Sequence, residues 1–316
     1  MEIRVIKKLC FLINPQASQG EAKEIFLQVK KILQENSIES NLYVSEYPGF
    51  ISNFIAIKDL SEFDGICVIG GDGTIHEAIN GLMRSKKADL LPLGVIGGGS
   101  GNAFARDINH TDPIDAIKKI ITGKVKSIDI MKIMHKDKIN FAVNIIGWGM
   151  AANINALAEK FRWLGNWRYS FAAVNSILRL RSQQMDVRID EEIIECNGLF
   201  FLALNTIHTG KGMRMAPYAK LNDGLVDIVM LRQANRLRLL KIFTQIFSGD
   251  HVNDPLVEYR QVRNFSIQTK DDALTIDGEN YGKTPIDVSV LHKSLKVSLI
   301  LSQNSKGSIL FSSDAL

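Results

Sequence analysis

Two glycine-rich loops near the N-terminus constrain the fold of this chain more than any other feature. Each loop follows a short apolar segment, at residues 66–69 and 93–96, and each ends where a helix is expected to begin. The loops read Gly-Gly-Asp-Gly-Thr at residues 70–74 and Gly-Gly-Gly-Ser-Gly-Asn at residues 97–102. Glycines allow a sharp turn and a close approach of the backbone, and they leave N–H groups available to phosphate oxygens. The sequence therefore predicts a protein that handles a nucleotide.

The first loop also contains a carboxylate, Asp72. A carboxylate in a phosphate-binding loop would repel a bare phosphate, so it makes sense there if it meets a metal ion or accepts a proton from a substrate. Phosphoryl transfer requires such a group to orient the attacking hydroxyl or Mg²⁺. The alternative is an aspartate that only caps the following helix. Asp72 is the first candidate for a catalytic residue.

The order of elements predicts an α/β protein of two domains. Strands and helices alternate as far as residue 123, which is typical of a mostly parallel sheet. Thr74 and Glu77 have the spacing of a capping box and predict the start of the helix after the first loop. Beyond residue 123, Val- and Ile-rich segments separated by turns predict an antiparallel sheet. We place the α/β nucleotide domain at residues 1–127 and the β-rich domain at residues 128–301.

A helical insertion interrupts the second domain. Apolar residues recur at helical spacing between residues 153 and 181, and Gly165-Asn166 divides the segment into two helices. Several arginines lie among them. Two interpretations remain open, because helical spacing alone does not distinguish them. The helices could simply pack on the domain, or they could form a basic lid over a lipid site that touches phosphate or a membrane surface.

Composition and charge limit the classes of partner. The net charge of +4 is too small to indicate nucleic-acid binding, and it suits anionic nucleotides or an anionic membrane surface. No apolar run approaches the ~20 residues of a membrane span, and the short, charged N-terminus does not have the pattern of a signal peptide. The three cysteines lack metal-ligand spacing. We expect a cytoplasmic protein, peripheral on a membrane at most, that binds no nucleic acid.

Several motifs together resemble the diacylglycerol-kinase-type lipid kinases, a family that includes sphingosine, ceramide and bacterial lipid kinases. They are Asn14-Pro15, the first loop with His76-Glu77, residues 99–102, residues 220–224 and Asp277-Gly278-Glu279, in the order of that family. The first loop alone is shared with NAD kinases, whereas the full series is specific. The resemblance implies a NAD kinase/diacylglycerol kinase-like fold, ATP and Mg²⁺ as cofactors, and a first domain that residues 302–316 complete.

The resemblance also assigns roles to individual residues. Glu279 becomes a proton acceptor, so both Asp72 and Glu279 are candidates for the general base. Asp223, with the backbone carbonyls of Lys220 and Leu225, matches a structural Mg²⁺ site. The residues expected to bind ATP are Asn14, Ser45, Gly70, Gly71, Gly73, Thr74, Gly98, Gly99, Ser100, Asn102, Arg162, Arg168 and Asp277. Ordinary turns, helix caps and solvated arginines remain the alternative explanation for many of them.

The lipid head group is expected to meet Asn155 and His76, and a purely structural histidine is the alternative for His76. The stretch from Trp148 to Tyr169 looks most like the sphingosine and ceramide kinase branch, yet Asn155 stands where sphingosine kinases use an aspartate. A neutral amide can accept a hydrogen bond from a hydroxyl, but it cannot pair with a protonated amine. We therefore expect a kinase that acts on a neutral, diacylglycerol-like or ceramide-like lipid at a membrane surface. A NAD kinase-like enzyme, a non-catalytic nucleotide- or lipid-binding protein, and a homodimer remain open.

Overall fold

The computed structural model describes residues 2–15, 20–99, 101–161, 167–179, 182–210 and 212–299. Ser100, Arg162 and the segment 302–316, which carry predictions made above, lie outside these residues. The helices are α1 (Ala22–Glu35), α2 (Phe50–Ile57), α3 (Asp72–Arg84), α4 (Ala103–Asp107), α5 (Pro113–Ile121), α6 (Met150–Lys160), α7 (Arg168–Leu178) and α8 (Arg236–Gln245). The strands are β1 (Glu2–Ile3), β2 (Lys8–Ile13), β3 (Glu39–Val44), β4 (Gly65–Gly70), β5 (Leu93–Gly97), β6 (Lys124–His135), β7 (Lys138–Ala142), β8 (Ile145–Gly149), β9 (Gln183–Ile189), β10 (Glu192–Gly198), β11 (Phe200–Leu204), β12 (Val226–Leu231), β13 (Val257–Val262), β14 (Asn264–Ile267), β15 (Ala273–Ile276), β16 (Glu279–Lys283) and β17 (Ile286–Ser298).

The N-terminal part of the chain is a parallel sheet covered on both faces. Its strands pair in the order β3-β2-β4-β5. Along β2, Phe11 packs with α1 and α5, whereas the neighbouring Leu12 packs with α2 and α3. A strand buried on both faces needs apolar residues at every position, which is why β4 and β5 read as continuous apolar runs. The predicted parallel α/β part is confirmed.

The second half adds antiparallel strands in two layers. One layer extends the first sheet, in which β17 pairs with β5 in parallel and with β6 and β14 in antiparallel orientation. The other is a six-stranded antiparallel sheet in the order β13-β12-β11-β8-β15-β16. Trp148, Phe201 and Phe265 belong to the apolar core between the layers. The predicted fold class, a parallel part followed by an antiparallel β-rich part, is confirmed.

The predicted boundary near residue 127 lies inside β6, which is one continuous strand. The chain returns to the first sheet through β17, where Val297 pairs with Leu93. The division into residues 1–127 and 128–301 therefore stays a prediction. Among the helices in the described ranges, none has the combination of length and apolar character that crossing a bilayer requires.

The capping box proposed for Thr74 and Glu77 is wrong. Helix α3 begins at Asp72 after Gly71, and no side chain caps its first turn. The Glu77 carboxylate instead accepts hydrogen bonds from the backbone N–H groups of Gly49, at 2.9 Å, and Ile51, at 3.2 Å. Glu77 thus satisfies donors at the start of α2, a helix that is close in space but distant in sequence.

Candidate active site

The two glycine loops lie side by side because their strands are neighbours in the sheet. Gly70 at the end of β4 pairs with Gly97 at the end of β5, and the N–H of Gly98 donates to the carbonyl of Gly70 at 2.8 Å. A Cβ added to Gly71 would lie 3.1 Å from the Cα of Gly99, so the approach of the two loops depends on glycine. The parallel strands thus deliver both loops to one edge of the sheet.

Asn102 holds the second loop in shape. It has a φ of 51° and precedes α4, but its side chain makes no capping bond to that helix. Its Oδ1 instead accepts a hydrogen bond from the N–H of Gly99 at 2.7 Å. Asn102 therefore orders the loop itself, which positions Gly98 and Gly99 opposite the first loop.

Asp72, the first residue of α3, lies where the loops meet. One of its oxygens accepts a hydrogen bond from the N–H of Ala103 at 2.9 Å, and the other would lie 2.7 Å from a Cβ at Gly101. Desolvation by burial raises the pKa of the Asp72 carboxyl to about 6, and repulsion by Asp277 adds to the increase, while backbone N–H groups at the start of α4 oppose it. A carboxyl with a pKa near the working pH is suited to general-base catalysis.

Asp277 joins three parts of the site through its carboxylate. It is buried in the turn between β15 and β16, with a φ of 49°. Its oxygens accept hydrogen bonds from the N–H groups of Val143, Asn144 and Ile145 at 2.8–3.1 Å, and Oδ2 lies 2.9 Å from Nδ1 of His76 on α3. Asp277 and His76 thus bind each other at the base of the cleft and fix the turn. Their predicted contacts with ATP and with lipid stay predictions.

The same turn presents Glu279 to the first glycine loop. Glu279 begins β16 with an exposed side chain, and its Oε1 would lie 2.7 Å from a Cβ at Gly73. Asn155 on α6 is buried beside it, and its Nδ2 donates to the carbonyl of Gly278 at 2.8 Å and to Oδ1 of Asn280 at 3.1 Å. Asn155 therefore clamps both neighbours of Glu279. Glu279 therefore lies against the first turn of α3, the turn that Asp72 begins.

One cleft of about 1470 Å³ connects these groups. Arg168 at the start of α7 also borders it and lies 3.3 Å from the Glu159 carboxylate. The predicted residues that line the cleft are Asn14, Gly71, Asp72, Gly73, Thr74, His76, Gly98, Gly99, Asn102, Asn155, Arg168, Asp277 and Glu279. Two others do not line it: Gly70 is buried within β4, and the Ser45 hydroxyl donates to the carbonyl of Tyr47 at 3.2 Å.

The predicted Mg²⁺ site lies apart from the cleft. Asp223 is exposed, and its Oδ1 accepts a hydrogen bond from the N–H of Leu225 at 3.1 Å, while Lys220 is exposed nearby. The buried Asp129 holds this turn by accepting a hydrogen bond from the N–H of Gly224 at 2.6 Å. In the described ranges, no group of three or more His, Cys, Asp or Glu side chains is placed to hold a metal ion. The predicted Mg²⁺ site, which has the Asp223 carboxylate and the backbone carbonyls of Lys220 and Leu225, is not a group of this kind, and it stays a prediction.

The far end of the cleft is apolar, and sequence reasoning missed most of it. Its walls come from α6, α7, β11, α8 and the segment before β12, and include Met150, Ile154, Ala173, Ile177, Phe200, Leu202, Met213, Met215, Leu239, Ile242, Phe243 and Ile246. Leu239, Ile242 and Phe243 of α8, with Ile246 directly after the helix, recur at i, i+3, i+4 and i+7, a pattern that indicates a helix with one apolar face. That spacing could have revealed α8 from the sequence.

Thr209 is another residue of the cleft that sequence reasoning missed. It is buried and borders the cleft, and its hydroxyl has no hydrogen-bond partner among the residues that the structure describes. Asp107 at the end of α4 binds the adjacent segment, because it accepts hydrogen bonds from the N–H groups of Ile207 and His208 and contacts the His208 ring. The segment is thus tied to the helix that follows the second glycine loop. No local sequence signal indicates this.

Comparison with known proteins shows which families and relatives the chain is similar to. The family "Diacylglycerol kinase catalytic domain" matches residues 8–133, and "YegS C-terminal NAD kinase beta sandwich-like domain" matches residues 144–299. "Sphingosine kinase 2" of Arabidopsis thaliana is 27% identical over 83% of this chain and 65% of that protein. "Diacylglycerol kinase" of Bacillus subtilis is 27% identical over 92% of this chain and 96% of that protein.

A solved structure supports the fold. A diacylglycerol kinase from Bacillus anthracis superposes with a TM-score of 0.76 at 21% identity, over 94% of this chain and 98% of that one. The chain therefore spans bacterial relatives almost fully and about two thirds of the plant relative. Because the two family matches succeed one another between residues 8 and 299 and the motifs of the sequence fall within them, the predicted resemblance to the diacylglycerol kinase catalytic-domain family is confirmed.

Proposed function

We propose that this protein is an ATP-dependent kinase that phosphorylates the hydroxyl of a neutral lipid, such as diacylglycerol or a ceramide-like lipid. One observation carries the proposal: a single cleft joins a pair of glycine loops and two carboxylates at one end to an apolar chamber at the other. A phosphate donor suits the first end and acyl chains suit the second, so the hydroxyl between them would meet the carboxylates.

The polar end fits a nucleotide triphosphate. Gly71 and Gly99 have no side chains to fill the space between the loops, and the first turn of α3 presents N–H groups that have no partner within the helix. Arg168 adds a cation at the rim. Mg²⁺ in phosphoryl-transfer sites is commonly bound by one or two carboxylates together with the phosphates of the substrate. The described residues contain no group of three or more metal-ligating side chains, and Mg–ATP does not require one. ATP supplies the phosphoryl group.

Asp72 is our choice for the general base. The lipid hydroxyl gives its proton to a carboxylate oxygen of Asp72, its oxygen bonds to the γ-phosphorus, and the bond from that phosphorus to the β–γ bridging oxygen breaks to release ADP. The pKa of about 6 leaves Asp72 ionised at neutral pH but still basic enough to accept a proton. Glu279, whose Oε1 lies against Gly73 in the first turn of α3, is the alternative base.

The choice of a neutral lipid rests on Asn155. Its side chain carries no charge, and its NH₂ group already donates to the turn that presents Glu279. A cationic sphingoid base would gain no ion pair from it. The apolar walls distinguish this proposal from a NAD kinase-like activity, since NAD has no long apolar part to fill them. The raised pKa of Asp72 favours an enzyme over a non-catalytic binding protein, which would have no use for a desolvated carboxylate.

The test is to incubate purified protein with labelled ATP, Mg²⁺ and one acceptor at a time in mixed micelles. The acceptors are diacylglycerol, ceramide, sphingosine and, without detergent, NAD. We expect transfer of label to a neutral lipid, with diacylglycerol or ceramide ahead of sphingosine. Transfer to NAD alone, or ATP binding without transfer to any acceptor, would contradict the proposal.

A further inference from the structure

The outer face of α7 is apolar and lies uncovered on the surface. Four exposed side chains recur at i, i+4, i+7 and i+11 along one face, with Trp167 75% exposed and Leu178 60% exposed. The opposite face of the helix contributes the buried Ala173 and Ile177 to the apolar end of the cleft. A single helix therefore separates the apolar cleft from the outside of the molecule. The four exposed residues are Trp167, Phe171, Val174 and Leu178.

Helix α8 extends this surface and adds positive charge. Nε of Arg236 donates to the carbonyl of Leu178 at 3.1 Å, so the start of α8 lies against the end of α7. Leu237, the next residue, is 79% exposed, and Arg179 and Lys241 are exposed as well. Helices α7 and α8 together contain four basic residues and no acidic one, so the net charge of these two helices equals the net charge of +4 of the whole chain.

We propose that this surface docks on a lipid bilayer that carries anionic head groups. We call it the α7–α8 face, and it consists of Trp167, Phe171, Val174, Leu178, Arg179, Arg236, Leu237 and Lys241. The proposal rests on the proposed function, because a lipid with long acyl chains has to be taken from a membrane. Exposed apolar side chains among basic ones are the composition of helices that lie in the membrane interface.

Continuity with the cleft favours a bilayer over a protein partner. The helix that presents the apolar side chains outward also forms the wall of the apolar chamber, so docking would place the chamber next to the acyl layer. Arg168 and Arg238 form ion pairs with Glu159 and Asp254, which leaves Arg179, Arg236 and Lys241 as the basic groups that the docked face would present to anionic head groups.

The docking test compares two double variants in vesicle sedimentation. Leu178→Gln with Leu237→Gln changes the α7–α8 face at two exposed positions that do not line the cleft. Ile57→Gln with Ile193→Gln makes the same kind of change at exposed apolar residues elsewhere. We expect wild type and the control to bind phosphatidylcholine vesicles more tightly when phosphatidylglycerol is included, and added salt to weaken this binding. The face variant should lose roughly tenfold or more in partitioning.

A second assay separates docking from catalysis. A short-chain diacylglycerol, dissolved as a monomer, should be phosphorylated equally by wild type and the face variant, whereas long-chain diacylglycerol in vesicles should be phosphorylated more slowly by the variant. If wild type binds vesicles through this face but phosphorylates no lipid, the proposed function fails and docking stands. If the variant binds vesicles like wild type, docking is overturned. Loss of a wild-type dimer in the variant, without any effect on vesicle binding, would assign the face to a second copy.

Discussion

Replacing Asp72 by asparagine is expected to lower kcat strongly and to stabilise the protein above pH 6. The Asp72 carboxyl has a pKa of about 6 instead of 3.8, because burial penalises its charged form. The folded state therefore bears a penalty that is absent below about pH 3.8 and complete above about pH 6. A shift of about two units corresponds to ~3 kcal/mol, at 1.36 kcal/mol per unit. Asparagine has the same shape and no charge, so it removes this penalty.

The backbone hydrogen bonds of Asp72 are already included in this figure. The pKa of about 6 is the net result of burial, which raises it, and of the N–H groups at the start of α4, which lower it. An asparagine oxygen can still accept the hydrogen bond from the N–H of Ala103. We therefore expect a gain in the free energy of unfolding of roughly 2–3 kcal/mol at pH 8. The gain should fall steeply as the pH drops from 6 toward 4, and it should vanish below about pH 3.8, where the wild-type carboxyl is protonated in both the folded and the unfolded state.

Urea unfolding of wild type and Asp72→Asn between pH 4 and pH 8 measures this difference. In parallel, wild-type turnover should rise with pH through about 6, since the base acts when it is deprotonated, and the variant should lose ~10²–10⁴-fold in kcat. Asp277→Asn is the matched control. Its carboxylate accepts three backbone hydrogen bonds and contacts His76, so this variant should be destabilised at pH 8. A destabilised Asp72→Asn, or one with near wild-type turnover, would refute the reasoning.

Three further predictions concern Glu279, Asn155 and Thr209. Glu279→Gln should lower kcat with little change in ATP affinity, measured by calorimetry, and a loss larger than that of Asp72→Asn would make Glu279 the base. Asn155→Asp should raise the ratio of sphingosine turnover to diacylglycerol turnover. It should lower both rates, because the carboxylate cannot donate hydrogen bonds to Gly278 and Asn280. An unchanged ratio would show that Asn155 does not contact the head group. Thr209→Val should raise the free energy of unfolding by ~1 kcal/mol, since it removes a buried hydroxyl that has no partner among the described residues. It should also raise KM for lipid but not for ATP. Thr209→Ser is the control, and an unchanged lipid KM in Thr209→Val would place that hydroxyl away from the substrate.

The sequence predicted the features that depend on local chain geometry. Apolar runs followed by glycines indicated β4 and β5 with their loops, because a strand buried on both faces and a close backbone approach each leave a local signature. Pairing of Gly70 with Gly97 then follows from the order of strands in a parallel sheet. The capping box failed for the opposite reason. The partner of Glu77 is the start of α2, and the spacing of Thr74 and Glu77 contains no information about that helix.

The roles of the polar residues show the same limit. Asp277 lies in an Asp-Gly turn; the family resemblance predicts a nucleotide contact for it, and an ordinary hairpin turn is the alternative. Its partners lie more than 130 residues earlier in the chain, at Val143, Asn144 and Ile145. Asn155 was expected to meet a head group, and the structure adds that it holds the turn of Glu279. Hydrogen bonds between elements distant in sequence decide both roles, and a single sequence does not encode them in any local pattern.

These contacts connect substrate choice to catalysis. Asn155 belongs to α6, and α6 is followed by α7, whose two faces border the apolar chamber and the surface. The hydrogen bonds of Asn155 pass from this helical insertion to Gly278 and Asn280, on either side of Glu279. A displacement of α6 by lipid or by a membrane would therefore move a carboxylate that lies against Gly73 in the first glycine loop. For this reason a change at Asn155 should alter kcat as well as lipid preference, whereas a change at Leu178 should alter only access to lipid in a membrane.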